Sequence, residues 1–331
     1  MTRATLLTTC GVLLSACGAS GTPERVPVPP GSTVRTAAES LSAHGIIHST
    51  AWFRLRARLA GVDRQVKSGV YEFHPGQPEG DILTALSTGA ALRYRLTVPP
   101  GGTLFDLAHA AESTLAIPAH DLLAAAADTA LLHQFHIAAP TAEGWLRPET
   151  FDFGGFDRPR DVLVRFLNAR RETWDSTWDA RAAAAHLDRN ALLTLASIVE
   201  AETGDSSDRP IIAAVYRNRL RIGMPLQADP TIEYGYLVRD GVRKGELHDK
   251  DYQVESPWNT YLHPGLPPGP INNPSRSAIE AVLSPAHVPY LYFVAGADGK
   301  HVFSTTYDEH LAAIARVRRA AAHRSTQAQP K

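Results

Sequence analysis

Apolar positions recur at helical spacing over Leu192, Leu195, Ala196 and Val199, and Leu193 and Ile198 widen that stripe until little polar surface is left. The pattern predicts a buried helix that ends Ile198-Val199-Glu200-Ala201-Glu202-Thr203-Gly204. Asp188 or Asn190 can cap its start, and Gly204 suits the left-handed position past its end. Ile211, Ile212, Val215 and Leu220 predict a second helix, opened by Asp208-Arg209-Pro210, with Tyr216, Asn218 and Arg219 near its end. Val162, Leu163, Phe166 and Leu167 predict a third over residues 161–178. Tyr290-Leu291-Tyr292-Phe293-Val294 and His301-Val302-Phe303-Ser304-Thr305 read as strands paired across a turn that contains Asp298-Gly299.

The first half carries a weak repeat. Val28-Pro29-Pro30-Gly31-Ser32-Thr33-Val34 returns as Val98-Pro99-Pro100-Gly101-Gly102-Thr103-Leu104, and Ala-rich helical patterns follow at 36–41 and 105–112. In each copy a strand-like segment precedes the Pro/Gly turn, and Thr is placed to cap the next helix. Between the copies, residues 68–73 read as a strand, and a helix begins at Asp81 and ends at Gly89. Such strand–helix units suit either a glycan-binding module or a plain structural α+β unit. Residues 142–151, Ala142-Glu143-Gly144-Trp145 through Phe151, read as an ordered loop in which Trp145 is a core side chain rather than a sugar platform.

Met1 to Ala16 has one positive charge, Arg3, and an apolar run through Leu6, Val12, Leu13 and Leu14. The run is shorter than the ~20 residues of a spanning helix. Its end, Leu14-Ser15-Ala16-Cys17, looks like a lipoprotein signal, so the expectation is a leader over 1–16, lipidation at Cys17 and a tether over 17–25. The alternative is an ordinary secretory signal. Either way the protein is expected at the cell envelope, facing the periplasm or the exterior.

Both cysteines, Cys10 and Cys17, lie in this leader region, so a disulfide framework or cysteine nucleophile in the body is excluded. A net charge of -1 over 331 residues argues against a nucleic-acid partner. No ligand spacing supports a metal, and the few loop-like lysines and the lack of a phosphate-binding glycine loop leave no cofactor expected.

The chemistry gathers on Glu200. A carboxylate after Ile198 and Val199 on an apolar helix loses hydration, which favours the protonated form that a general acid needs. The bland alternative puts Glu200 and Glu202 in an exposed last turn. Two rigid, costly loops follow: 223–231, which presents Gln227 and Asp229 at fixed angles, and 256–271, which carries Asn259 and Tyr261.

Taken together, Leu195-Ala196-Ser197-Ile198-Val199-Glu200-Ala201-Glu202-Thr203, Asn218-Arg219-Leu220, Met224-Pro225-Leu226-Gln227-Ala228-Asp229-Pro230-Thr231, Ser256-Pro257-Trp258-Asn259-Thr260-Tyr261 and Gly265-Leu266-Pro267-Pro268-Gly269-Pro270-Ile271 resemble the YceG-like family of endolytic murein transglycosylases. Their order along the C-terminal half is what makes the resemblance specific. Two departures stand out: Arg147-Pro148-Glu149-Thr150-Phe151 replaces an aromatic-Pro-Asp-Thr-Tyr pattern, and Trp258 stands where Tyr is common.

The resemblance implies an α+β fold, with a LysM-like unit over 26–95 and a catalytic domain over 96–325 that includes a connecting region, 96–150. A disordered tail is expected over 326–331. It implies cleavage between N-acetylmuramic acid and N-acetylglucosamine within glycan strands, giving 1,6-anhydro ends and terminating nascent strands. Glu200 is the implied acid, then base. Gln227, Asp229, Asn259, Tyr261 and Asn218 are the implied substrate contacts, with Glu202 an orienting group on another helix face. Peptidoglycan strands, the membrane and peptidoglycan synthases (penicillin-binding proteins) are the implied partners. A lysozyme-type hydrolase with Asp229 as second carboxylate, and a non-catalytic wall-binding lipoprotein, are the rival expectations.

Overall fold

The computed structural model describes residues 22–296 and 300–327. Cys17, the leader and the Asp298-Gly299 turn lie outside the described residues. The chain is α+β and divides into two compact units, the smaller running to Tyr94 and including Gly154–Phe156.

The smaller unit is built from β1 (Glu24–Val28), α1 (Val34–Ala43), α2 (Thr50–Leu59), β2 (Gly69–Phe73) and α3 (Glu79–Thr88). β1 and β2 pair antiparallel, with Val26 opposite Tyr71. Alternation along β1 turns Val26 and Val28 inward, onto Leu41, Phe53, Phe73, Ile82 and Leu86. β1 therefore occupies positions 24 and 25, which the sequence reading gives to a tether.

The larger unit takes up β3 (Tyr94–Val98), α4 (Leu104–Leu115), α5 (Ala119–Ala126), α6 (Thr129–Gln134), β4 (Glu149–Phe153), α7 (Pro159–Glu172), α8 (Trp178–Ala184) and α9 (Arg189–Glu202). It continues through α10 (Arg209–Arg221), α11 (Asp229–Asp240), α12 (Arg276–Leu283), β5 (Tyr292–Ala295), β6 (His301–Ser304) and α13 (Tyr307–Gln327). α9 is its central element and packs against α8, α10, α11 and α12. Leu192, Leu193, Leu195, Ala196, Ile198 and Val199 are all fully buried. Each such Leu or Ile contributes about 1.5–3 kcal/mol, enough to carry Thr194, Ser197 and Glu200 into the interior with them.

The repeated turn does the same work twice. β1 and β3 end at Val28 and Val98, Gly31 and Gly101 take left-handed backbone, and Thr33 and Thr103 cap α1 and α4 through reciprocal capping boxes. The hairpin of β5 and β6 is also formed, with Phe293 opposite Phe303.

Other elements differ from the pattern reading. The helix expected over 161–178 breaks into α7 and α8, because the Asp175 carboxylate accepts from Thr177 N and Oγ1 and turns the chain. Trp174 and Trp178 still pack edge to face, 5.1 Å apart, which preserves the apolar signal across the break. Asp188 caps α9 as expected, but the helix ends on an extended Thr203, whose hydroxyl accepts from Asp205 N, and Gly204 is not left-handed. α11 begins at Asp229 inside the stretch read as loop, and β4 takes the end of the expected 142–151 loop. α13 runs through Gln327, into the expected tail. Among the described residues no helix is long and apolar enough to cross a membrane.

Candidate active site

Glu200 and Glu202 sit two positions apart in the last turn of α9, so their side chains leave the helix on different sides. Glu200 turns inward. Its side chain is only 5% exposed and lies beneath the Pro99-Gly102 turn, where a Cβ on Gly101 would come 3.7 Å from its Cγ. Oε1 accepts from Arg209 Nη2 at 2.7 Å, and Oε2 accepts from Ser275 N at 2.9 Å and from Ser275 Oγ. Arg209 opens α10 and Ser275 caps α12. This carboxylate therefore joins three helices. The hydration it loses is replaced by a guanidinium and two hydrogen-bond donors.

Glu202 faces the other way, into a cleft of about 340 Å³ that it lines with Tyr216, Arg219, Gln227, Asp229 and Tyr261. Tyr292, Phe293, Tyr307 and His310 add an aromatic wall. Burial pushes the Glu202 carboxyl up to about 7; the Tyr216 hydrogen bond pulls it back, nearby Asp229 and Glu233 push it further, and Arg219 lowers it. The Tyr216 hydroxyl donates to Glu202 Oε1. Tyr216 itself is pushed well above its ordinary value by burial and by the adjoining carboxylate, so it is a donor at any working pH. Arg219, one turn on from Tyr216, is fixed by donating to the Leu291 and Leu226 carbonyls, each at 2.7 Å, and its guanidinium lies 5.3 Å from the Tyr292 ring centre.

The far side of the cleft comes from the loop leading into α11. Asp229 Oδ1 accepts from the Tyr261 hydroxyl at 2.6 Å, and the Tyr252 and Tyr261 rings meet edge to face 4.8 Å apart. Gln227 holds a left-handed backbone, φ +51°, that costs a non-glycine residue roughly 1 kcal/mol. Its N–H donates to the Thr260 carbonyl, Ala228 N donates to Thr260 Oγ1, and Thr260 and Thr231 share a buried hydroxyl contact of 2.9 Å. These bonds hold the strained loop in place.

Of the expected contacts, Gln227, Asp229 and Tyr261 come together in the cleft, and Glu202 joins them. Asn259 and Asn218 do not line it. Buried Asn259 donates to the Tyr252 and Val254 carbonyls and accepts from Tyr261 N; Asn218 donates to the Val288 and Tyr290 carbonyls. Both brace loops, the usual work of Asn beside a turn. Glu200 does not line the cleft either. Tyr216 and Arg219 were legible as an i, i+3 pair on one helix, but nothing in the spacing says what they face; Tyr307 and His310 stand on α13, a helix absent from the sequence reading.

Another buried carboxyl stands at Glu143. Glu143 accepts from Leu104 N at 3.0 Å, Tyr234 Oη at 3.2 Å and Asn273 Nδ2 at 2.9 Å, and burial pushes it to about 8 against the pull of those donors. Asn273 also donates to the Gly102 carbonyl and accepts from Leu146 N. Gly144 is required here: at φ +80° a Cβ would lie 2.3 Å from Pro270 Cβ. Trp145 is buried in the core.

A half-buried carboxyl raised to about 7, set in a tyrosine-lined polar cleft, is equipment for general acid–base chemistry. The chain belongs to the YceG-like family, whose model matches residues 26–316. A Bacillus subtilis (strain 168) protein named endolytic murein transglycosylase is 30% identical over 306 residues, covering 88% of this chain and 84% of that protein. A protein of the same name from Streptococcus pneumoniae serotype 2 is 28% identical over 313 residues; they make up 86% of this chain but 56% of that protein, so the chain spans little more than half of that relative. Among solved structures, a YceG-like protein from Listeria monocytogenes matches with a TM-score of 0.60 at 28% identity, over 88% of this chain and 98% of that one.

Proposed function

We propose that this chain is an endolytic murein transglycosylase, with Glu202 rather than Glu200 as the acid that then acts as base. The observation that carries the reading is Glu202's place in the cleft, protonated over part of the neutral range, beside Gln227, Asp229 and Tyr261. Glu202 gives its proton to the oxygen leaving the anomeric carbon of N-acetylmuramic acid as that bond breaks. The resulting carboxylate then takes the proton of the sugar's own 6-hydroxyl, whose oxygen closes on the anomeric carbon. No water is consumed, and Glu202 ends protonated, ready for the next cycle. Gln227 and the Asp229–Tyr261 pair contact sugar hydroxyl and acetamido groups. The Tyr216 hydrogen bond keeps Glu202 in one orientation through both transfers.

Hydrolysis would need a second carboxylate free to activate water. Among the described residues Asp229 is the only other one in the cleft lining, and Tyr261 already holds its Oδ1, which favours the transglycosylase. The β–α–α–β run from β1 to β2 in the smaller unit supports the LysM-like reading. Lipidation at Cys17, an envelope location and action on nascent strands beside the synthases complete the proposal; palmitate labelling lost in Cys17→Ser tests the first of these.

The experiment is a paired substitution. Glu202→Gln keeps size and the possibility of a Tyr216 contact, so it should fold and bind glycan yet release no soluble fragments. Glu200→Gln leaves Arg209 without its partner, at a cost of about 3–5 kcal/mol in stability, and should retain turnover per folded molecule. Full turnover by Glu202→Gln would reject the assignment.

A further inference from the structure

α2 presents an apolar stripe to solvent. Its inward face buries Phe53 and Ala57, while Trp52, Leu55 and Leu59 are 54%, 48% and 79% exposed. Their i, i+3, i+7 spacing puts all three on one side of the helix. Arg54 and Arg58 flank that stripe on one edge and Arg56 on the other. α2, Thr-Ala-Trp-Phe-Arg-Leu-Arg-Ala-Arg-Leu, contains no acidic residue. Arg56 pairs with Glu79 at 3.2 Å; among the described residues the Arg54 and Arg58 side chains make no ion pair or hydrogen bond.

We propose that α2 is a membrane-contact helix that lies in the interface of an anionic phospholipid surface. Solvent-facing Trp and Leu with arginines on both edges is the arrangement that buries an apolar strip at the headgroup–acyl boundary while cations meet lipid phosphates. Trp52 fits the same place, because an indole body with one polar N–H partitions to that boundary. The arginine edges select the occupant: a second copy of this helix would bring its own unpaired guanidiniums against these, whereas an anionic bilayer neutralises them. The location also fits the proposed anchor. Seven residue steps separate Cys17 from the start of β1, at most about 25 Å when extended, so an acyl group at Cys17 would hold this unit within reach of the same surface.

The test uses the polypeptide from Gly18 onward, which keeps both compact units whole and carries no acyl group. It is mixed with vesicles of phosphatidylcholine alone or with about one-third phosphatidylglycerol. Sedimentation with the anionic vesicles only, reversed at high salt, is expected, with a blue shift in tryptophan emission that disappears in Trp52→Phe. Leu55→Ser/Leu59→Ser and, separately, Arg54→Glu/Arg58→Glu should each lower partitioning about tenfold or more. The four positions are on the outer face, so the fold, checked by circular dichroism, should survive. Glycan cleavage in solution should be unchanged in both variants, which keeps this result separate from the assignment of Glu202. Absence of binding, binding that neither double variant weakens, or a stripe-dependent dimer in place of vesicle binding would each overturn the proposal.

Discussion

Tyr216→Phe removes one hydroxyl and little else. The ring is fully buried and packs edge to face on Phe293 at 5.9 Å, so the packing should persist. What is lost is the hydrogen bond to Glu202 Oε1. A hydrogen bond to a charged acceptor is worth about 1.5–3 kcal/mol, and the same phenol could give the neutral acid about 0.5–1.5 kcal/mol. The difference, about 1–1.5 kcal/mol, favours the carboxylate, and its loss should raise the Glu202 pKa by about one unit. Since Glu202 must be protonated to donate, kcat/KM should fall with rising pH near 7 in the wild type and near 8 in Tyr216→Phe. The assay is release of soluble fragments from labelled glycan strands across pH 5 to 9. A limb that stays put, or moves to lower pH, would show that Tyr216 does not act on the group whose protonation limits turnover.

Stability should carry a related signature. Glu202 and Glu143 both have folded values raised above the ordinary 4.5, to about 7 and about 8. Between 4.5 and those values the folded chain binds more protons than the unfolded one. The stabilisation is thus complete below pH 4.5 and lost as pH rises through 7 and 8, on the order of 3 kcal/mol for Glu202 alone. Urea midpoints measured from pH 5 to 8.5 should fall, and Glu143→Gln should flatten the upper part of that slope. Gly144→Ala should cost at least about 2 kcal/mol, through both the positive φ and the clash with Pro270; a urea midpoint close to wild type would contradict the close approach.

The helix periodicities around Val162, Leu192 and Ile211 located the core because the larger unit buries one face of almost every helix. The Pro-Pro-Gly turns were legible because Thr caps act locally. What the sequence withheld was direction. Two carboxylates in one helical turn look alike until α10 and α12 are placed, for it is Arg209 and Ser275 that claim Glu200 and Tyr216 that marks Glu202. Asn218 and Asn259 carry the same ambiguity: their residue type suits a sugar as well as a loop carbonyl, and only the packing shows the carbonyls within reach. α11 was hidden because Asp229-Pro230, a good helix start, follows a strained loop that dominates the local pattern.

The most direct test of the central claim is mass spectrometry of the glycan fragments formed from purified peptidoglycan by the chain from Gly18 onward. Transglycosylation should give 1,6-anhydro ends, one water lighter than hydrolytic products, present with wild type and absent with Glu202→Gln. Reducing ends from the wild type, or anhydro ends persisting in Glu202→Gln, would contradict it.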